Sequence, residues 1–177
     1  FAKPPHASVP LENGCTTDTL FTLMEPEPLM LDTSIFTPVS CFGRSNGSAE
    51  VFPTGGTAPY DYFWLDRLSQ RNALATNLPG GPIDIRIVDD RGCQISQTLV
   101  VPEPDSIDLG FDQKNVSCLN GSDARLTALA TGGTLPYTFS WSNNETGETI
   151  ANLSAGNYTV TISDQNNCRK VATTTIV

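Results

Sequence analysis

Hydrophobic and polar residues alternate strictly in several short stretches of the chain, and turn residues such as Gly, Pro and Asn separate these stretches. The alternating apolar positions form two matched sets, which are Tyr60, Tyr62, Trp64, Ile83, Ile85 and Ile87, and then Tyr137, Phe139, Trp141, Tyr158, Val160 and Ile162. A period of two places such residues on one face of a β-strand. The most helix-like stretch, "WLDRLSQRNALATNL", has a counterpart that does not share its pattern. The sequence therefore predicts an all-β protein.

The alternating stretches belong to a longer internal repeat. "TGGTAPYDYFW" at 54–64 returns as "TGGTLPYTFSW" at 131–141, and "VSC" at 39–41 returns at 116–118, both with an offset of 77 residues. Downstream of the tryptophan the offset falls to 75, where "NLPGG" matches "NLSAG". Several short strands per unit of this length, joined by tight turns, are typical of an immunoglobulin-like β-sandwich.

The repeat also sets the expected domain organisation. "ENGC" at 12–15 resembles "DRGC" at 90–93, so we expect residues 1–32 to be the C-terminal end of a preceding, partial repeat. Two immunoglobulin-like repeats are predicted to follow, at 33–105 and 106–177. Each is long enough to bury its own core.

The cysteine spacing repeats as well. Cys41 and Cys93 are 52 residues apart, and Cys118 and Cys168 are 50 apart. This predicts the disulfides Cys41–Cys93 and Cys118–Cys168, one in each repeat, and leaves Cys15 unpaired. No close pair of the CxxC type that binds zinc is present in the sequence. The alternative is a set of reduced thiols in a cytosolic protein.

Charge and composition exclude several classes of partner. The net charge of −9 argues against nucleic acid, whose phosphates require a basic surface. No apolar run has the length of a membrane span, so we expect no membrane insertion. The first residues lack the apolar core of a signal peptide.

The sequence offers little for catalysis. His6, the one histidine, lies in a Pro-rich segment, and no P-loop, GxSxG or HExxH motif is present. We therefore expect a protein that is not an enzyme, with no catalytic residues and no cofactor. The acidic turns "VDDRGC" and "SDQNNC" carry oxygen ligands suited to calcium, but Asp and Asn are also ordinary turn residues, so no metal site is predicted.

One exposed strand face differs between the repeats. Phe63 and Leu65 point away from the first predicted core, whereas Ser140 and Ser142 take these places in the second. Phe63 and Leu65 are a candidate contact patch for a neighbour or ligand. The alternative is that the loop 66–76 covers them.

The combined motifs resemble the SprB-type repeat of large surface adhesins in gliding Bacteroidetes. The second copy matches best, with "VSCLNGSDARLTALATGGTLPYTFSWSN" and "LSAGNYTVTISDQNNC". The first copy departs at "PGGPIDIRIVDDRGC", where Ile83 replaces the usual Tyr. The resemblance covers nearly all of 37–177 and supplies no catalytic residues.

The resemblance implies a function and a location. Its members are displayed at the cell surface after export by the type IX system, so the chain is expected to be a stalk or adhesive segment of a gliding adhesin. Expected partners are neighbouring repeats of the same protein, surface polysaccharide, or proteins of the gliding or secretion machinery. Bacteroidetes O-glycosylation motifs match at Thr19 and Ser106. The alternative is an accessory immunoglobulin-like or carbohydrate-binding array of a secreted multidomain enzyme.

Overall fold

The computed structural model describes residues 6–10, 16–20, 26–66 and 68–177, the first two ranges by their backbone alone, and every regular element in these ranges is a β-strand. The first strands are β1 (His6–Pro10) and β2 (Thr16–Leu20). Six strands follow, which are β3 (Met30–Thr37), β4 (Gly47–Thr54), β5 (Tyr60–Trp64), β6 (Leu74–Leu78), β7 (Gly81–Asp89) and β8 (Gln94–Val101). The last six are β9 (Asp108–Lys114), β10 (Ala124–Thr131), β11 (Thr138–Trp141), β12 (Thr149–Leu153), β13 (Gly156–Ser163) and β14 (Arg169–Ile176).

Each set of six strands forms two antiparallel three-stranded sheets. In the first repeat their orders are β3-β4-β6 and β5-β7-β8, and in the second they are β9-β10-β12 and β11-β13-β14. The first, second and fourth strands thus form one sheet and the third, fifth and sixth form the other, which is the ABE and CFG arrangement of an immunoglobulin-like sandwich. The structure confirms the predicted all-β, immunoglobulin-like class. β3 begins at Met30, slightly before the predicted domain start at residue 33.

Two separate hydrophobic cores lie between the paired sheets. The alternation along the strands explains them, because every second side chain of β4 and β7 is buried. The two tryptophans are central, with Trp64 only 2% exposed and Trp141 only 3% exposed. Tyr60 and Tyr62 pack against the first core, and the equivalent aromatic residues pack against the second. The predicted inward faces are confirmed.

The polar atoms of the core aromatics find the same kinds of partner in both repeats. Trp64 Nε1 donates to the Asn72 carbonyl at 2.8 Å, and Trp141 Nε1 donates to the Gly147 carbonyl at 2.9 Å. A buried indole N–H without such a partner would destabilise the fold. The hydroxyl groups of the two motif tyrosines also donate to equivalent carbonyls, Tyr60 to Gly55 and Tyr137 to Gly132.

The strands β1 and β2 form an antiparallel pair before the first repeat. Their register pairs His6 with Leu20, and the register of β7 and β8 pairs Asp84 with Thr98. Residues 6 and 84 are 78 positions apart, and so are residues 20 and 98. The same offset relates "ENGC" to "DRGC". The register of β1 and β2 is therefore the same as the register of β7 and β8.

Candidate functional site at the joint between the repeats

A buried aspartate organises one end of each sandwich. Asp89 and Asp164 are each 5% exposed. The carboxylate of Asp89 accepts hydrogen bonds from three backbone N–H groups, those of Thr57 (2.9 Å), Arg91 (3.0 Å) and Cys93 (2.7 Å). Asp164 accepts the equivalent bonds from Thr134, Asn166 and Cys168. The aspartate of the DxxxC motif thus ties the cysteine turn to the Gly-Gly-Thr turn, so the acidic turn has a structural role.

These hydrogen bonds control the protonation of Asp89. Burial acts to raise its pKa by disfavouring the charged form, whereas the N–H groups of Thr57, Cys93 and Arg91 favour the carboxylate. The hydrogen bonds prevail, and the pKa of Asp89 lies below its ordinary value. The turn is therefore held by a carboxylate at neutral pH.

The linker that precedes each repeat contacts the Gly-Gly turn of that repeat. The N–H of Gly133 donates to the Asp105 carbonyl at 2.8 Å, and Gly132 lies so close to the Ser106 carbonyl oxygen that an added Cβ would overlap it. In the first repeat Gly56 donates to the Glu27 carbonyl at 2.7 Å. The glycine pair therefore permits both the positive φ angles of the turn and this close approach of the linker.

The other end of the linker is fastened to the first repeat. The N–H of Val39 donates to the Pro102 carbonyl at 3.0 Å, and the N–H of Gly43 donates to Glu103 Oε2 at 3.3 Å. The linker 102–106 therefore contacts the loop 40–44 behind it and the Gly-Gly turn ahead of it. We call the loop 40–44, this linker and the turns 132–134 and 164–168 the joint.

A disulfide closes the joint. Cys41 is bonded to Cys168, with a Cα–Cα distance of 5.7 Å and a sequence separation of 127 residues. The predicted bridges Cys41–Cys93 and Cys118–Cys168 are wrong, since Cys93 and Cys118 are free and exposed. Cys15, expected to be unpaired, lies outside the described residues. The covalent bond links one repeat to the next, instead of closing each sandwich.

The error has a topological cause. β4 and β6 are antiparallel, as are β5 and β7, and the short turn between β6 and β7 reverses the chain. β5 and β6 consequently run in the same direction, so the connection between them crosses the length of the sandwich. If β4 to β7 had simply alternated in direction, the chain would have returned after β7 to the end of the sandwich at which Cys41 lies. The crossover instead places Cys41 and Cys93 at opposite ends.

The resulting separation excludes a bridge within a repeat. Cys93 directly precedes β8, and Pro102, beside the Cys41 loop, follows it. A strand of this length spans about 25 Å, whereas the Cα atoms of a disulfide lie within about 7 Å. The near-equal cysteine spacings reflect the repeat period, which is the same whether partners lie in one unit or in adjacent units.

Further contacts at the joint involve residues that the sequence did not single out. The side-chain amide of Asn166 donates from Nδ2 to the Ser40 carbonyl at 3.1 Å and to Thr134 Oγ1 at 3.1 Å. Asn166 therefore connects the cysteine turn of the second repeat to the loop of the first. The only indication of this role in the sequence is that Asn166 lies within the DxxxC motif, between Asp164 and Cys168.

The candidate contact patch lies on the first repeat, at the C-terminal end of β5. Leu65 is 67% exposed. Phe63 is half-buried, because two guanidinium groups lie against its ring and cover part of it. The Cζ atoms of Arg71 and Arg86 are 4.3 and 4.5 Å from the ring centroid, within cation–π range. Arg71 lies in the connection between β5 and β6, so the predicted covering of Phe63 by the segment 66–76 is partly realised, although 74–76 belong to β6.

The candidate glycosylation residues differ in what can be said of them. Ser106 is exposed in the linker. Thr19 lies in β2, and its side chain is outside the described residues. No group of three or more His, Cys, Asp or Glu side chains converges as a metal site within the part of the chain that the structure describes. In the same part, no helix is long and apolar enough to span a bilayer.

These features define a class of protein, a tandem array of immunoglobulin-like repeats with a covalently fastened joint. The family model described as the SprB repeat matches the chain twice, at residues 33–67 and 110–146. Both stretches are therefore SprB repeats, as the motifs predicted. They contain the Gly-Gly turns, the core tryptophans and Cys41 and Cys118. No curated protein matches the chain.

Two solved structures are distantly similar. One, concerned with the structural basis for Dscam isoform specificity, is 13% identical with a TM-score of 0.35, and the match covers 93% of this chain and 51% of that one. The other, the amphioxus IgVJ-C2 molecule, is 15% identical with a TM-score of 0.35, covering 83% and 97%. The chain thus spans about half the length of the Dscam structure. At these scores the fold assignment rests on the strand order alone.

Proposed function

We propose that this chain is a non-catalytic, load-bearing segment of a large cell-surface adhesin of the gliding machinery, exported by type IX secretion. The SprB repeats support the adhesin class and an extracellular location. The proposed partners are neighbouring repeats, a surface polysaccharide and, at the outer face around Phe63 and Leu65, a protein of the gliding or secretion machinery.

The observation that carries the mechanical part is the double attachment at the joint. The linker 102–106 joins the repeats once, and the Cys41–Cys168 disulfide joins them again. A pulling force applied at the chain ends passes through the disulfide and bypasses the residues between the two cysteines. Residues 42–167 are therefore shielded from extension, and of the two sandwiches only β3 and β14 stay in the path of the force. This arrangement suits a stalk that transmits force.

Single-molecule force spectroscopy on the full chain, held at its two ends, tests this proposal. With the disulfide intact, we expect no extension of residues 42–167, so that only the detachment of β3 or β14 can lengthen the two sandwiches. After reduction, unfolding should release about 430 Å of additional contour length, because 127 residues extend by roughly 3.4 Å each. Cys41→Ser should behave like the reduced chain. The matched control Cys93→Ser, which removes a free thiol, should behave like the oxidised wild type.

The same released length in the oxidised and reduced chains would contradict a load-bearing role. The alternative of an accessory carbohydrate-binding array calls for an open aromatic platform, and the arginines over Phe63 cover the ring that would have served.

A further inference from the structure

Among the residues that the structure describes, two cysteines form no disulfide, and their positions in their repeats correspond to the positions of the two bonded cysteines. Cys118 is equivalent to Cys41 in the repeat alignment, and Cys93 is equivalent to Cys168. Both are exposed thiols. The turn around Cys93 in the first repeat therefore corresponds to the bonded turn around Cys168. The loop around Cys118 in the second repeat corresponds to the bonded loop around Cys41.

The loop around Cys118 already has the conformation of its docked counterpart. The N–H of Ser117 donates to Asp123 Oδ1 at 2.9 Å, and the N–H of Gly121 donates to the Cys118 carbonyl at 2.9 Å. In the docked loop, Ser40 donates to Asn46 Oδ1 and Arg44 to the Cys41 carbonyl, each at 3.0 Å. A loop held in its bound shape loses little conformational entropy on binding.

The surface beside Cys118 is apolar and uncovered. Leu119 is 92% exposed, and it lies in a cleft with Val116 and Val177. The equivalent residue of the first repeat, Phe42, lies beside the disulfide at the joint and is 60% exposed. The position next to the cysteine is therefore apolar in both repeats, and in the second it has no cover.

The turn around Cys93 likewise has the shape of the turn that is docked at the joint. The N–H of Gly92 donates to the Asp89 carbonyl at 3.0 Å, and Asn167 donates to the Asp164 carbonyl at the same distance. Arg91 replaces Asn166, so the turn keeps a side-chain N–H donor at the position that binds the Ser40 carbonyl in the joint.

We propose that the Cys118 surface binds the Cys93 surface of another SprB repeat of this type and forms the same disulfide as Cys41–Cys168. The binding surfaces are different on the two partners, so the contact is head-to-tail and extends an array instead of closing a dimer. Each repeat would then be bonded to the one before it and the one after it. This inference rests on the geometry of the joint and is independent of the proposed adhesin function.

The bond requires an oxidant, which an oxidising extracellular environment supplies as a disulfide compound. The thiolate of Cys118 attacks oxidised glutathione, releases one glutathione thiol and leaves a mixed disulfide on Cys118. The thiolate of Cys93 from the second chain then attacks the Cys118 sulfur and releases the second glutathione thiol. Two protein thiols are oxidised and one glutathione disulfide is reduced, so atoms and electrons balance.

Cross-linking between two copies of the full chain tests the proposal. Every variant carries Cys15→Ser, because Cys15 is the sequence equivalent of Cys93. One variant adds Cys93→Ser and keeps Cys118, and the other adds Cys118→Ser and keeps Cys93. The variants are incubated in a glutathione redox buffer over a range of protein concentrations, separately and mixed, and analysed by non-reducing electrophoresis. Mass spectrometry then seeks a disulfide between the tryptic peptides 92–114 and 115–125.

We expect the mixture to form a disulfide-linked dimer roughly tenfold or more above either variant alone, because docking brings the two different thiols together. Moving the thiol should abolish this preference, so a Cys118→Ser chain that also carries Cys93→Ser and Ser96→Cys is the matched control. Equal dimer formation in the separate solutions would overturn the proposal, as would an unchanged yield with the displaced thiol. Absence of the 92–114 to 115–125 link at the highest concentration would overturn it as well.

Discussion

The two repeats share their interior and differ on one outer face. Both have the same six-strand topology, the buried Trp, the buried Asp and the Gly-Gly turn. On the outer face of the third strand, the first repeat has Phe63 between two arginines, and the second has Ser140 in its place. The shared residues hold the core and the joint, so they recur in each copy. The outer face contributes to neither the core nor the joint, and the sequences of the two copies differ there.

The largest effect should come from the shared tryptophans. Trp64→Ala and Trp141→Ala should each destabilise their own repeat by about 3–5 kcal/mol, because each removes a large side chain from a closed core. Denaturant unfolding followed by circular dichroism measures the loss. The tryptophan that remains in each variant reports by fluorescence on the other repeat.

Phe63→Ala is the matched control on the outer face. It should cost about 1 kcal/mol or less, since it removes exposed cation–π contacts instead of core packing. A loss as large as that of Trp64→Ala would show that the outer face is part of the structural framework. The distinction between a shared interior and a free outer face would then be wrong.

An intermediate effect is expected where the linker approaches the Gly-Gly turn. Gly55→Ala and Gly132→Ala should each cost about 1–3 kcal/mol, because the φ angles are +69° and +77° and the new Cβ would overlap a linker carbonyl. Thermal denaturation measures both. The control is Gly92→Ala, where φ is +83° and the new Cβ lies in open space. A similar loss for all three variants would mean that φ, and not the linker contact, decides the cost.

The smallest effect concerns a charge that only the second repeat has. Hydrogen bonds from Ser117, with help from Lys114, lower the pKa of Asp123 to about 2, whereas Asn46 takes its place in the first repeat. A lowered pKa means that the carboxylate stabilises its loop above about pH 4 and that this contribution is lost as the pH falls through 2. The Asp123 side chain is exposed, so solvent screens the effect.

Amide chemical shifts measured by NMR check this directly. The Ser117 amide should titrate with a midpoint near pH 2, and the Ser40 amide should not titrate in that range. Asp123→Asn should remove the titration. A Ser117 midpoint near the ordinary aspartate value of 3.8 would contradict the lowered pKa.

Much of the fold followed from the sequence by itself. Alternation with a period of two determined which faces of β5 and β7 are buried, because successive side chains of a strand point to opposite sides. The repeat determined that two copies of one sandwich would form, and the motifs pointed to the SprB repeat, whose family model matches at 33–67 and 110–146. These are local or repeated properties, so they can be read along the chain.

Only the tertiary structure decided how the cysteines pair. The pairing depends on which end of the sandwich each loop occupies, and the crossover between β5 and β6 places Cys41 and Cys93 at opposite ends. The spacing along the chain is equally consistent with pairing inside a repeat or across the joint. Likewise, both arginines lie against Phe63 only because the connection between β5 and β6 comes close to β7 there. Contacts between distant segments depend on strand direction and loop path, and neither is written in the spacing of residues.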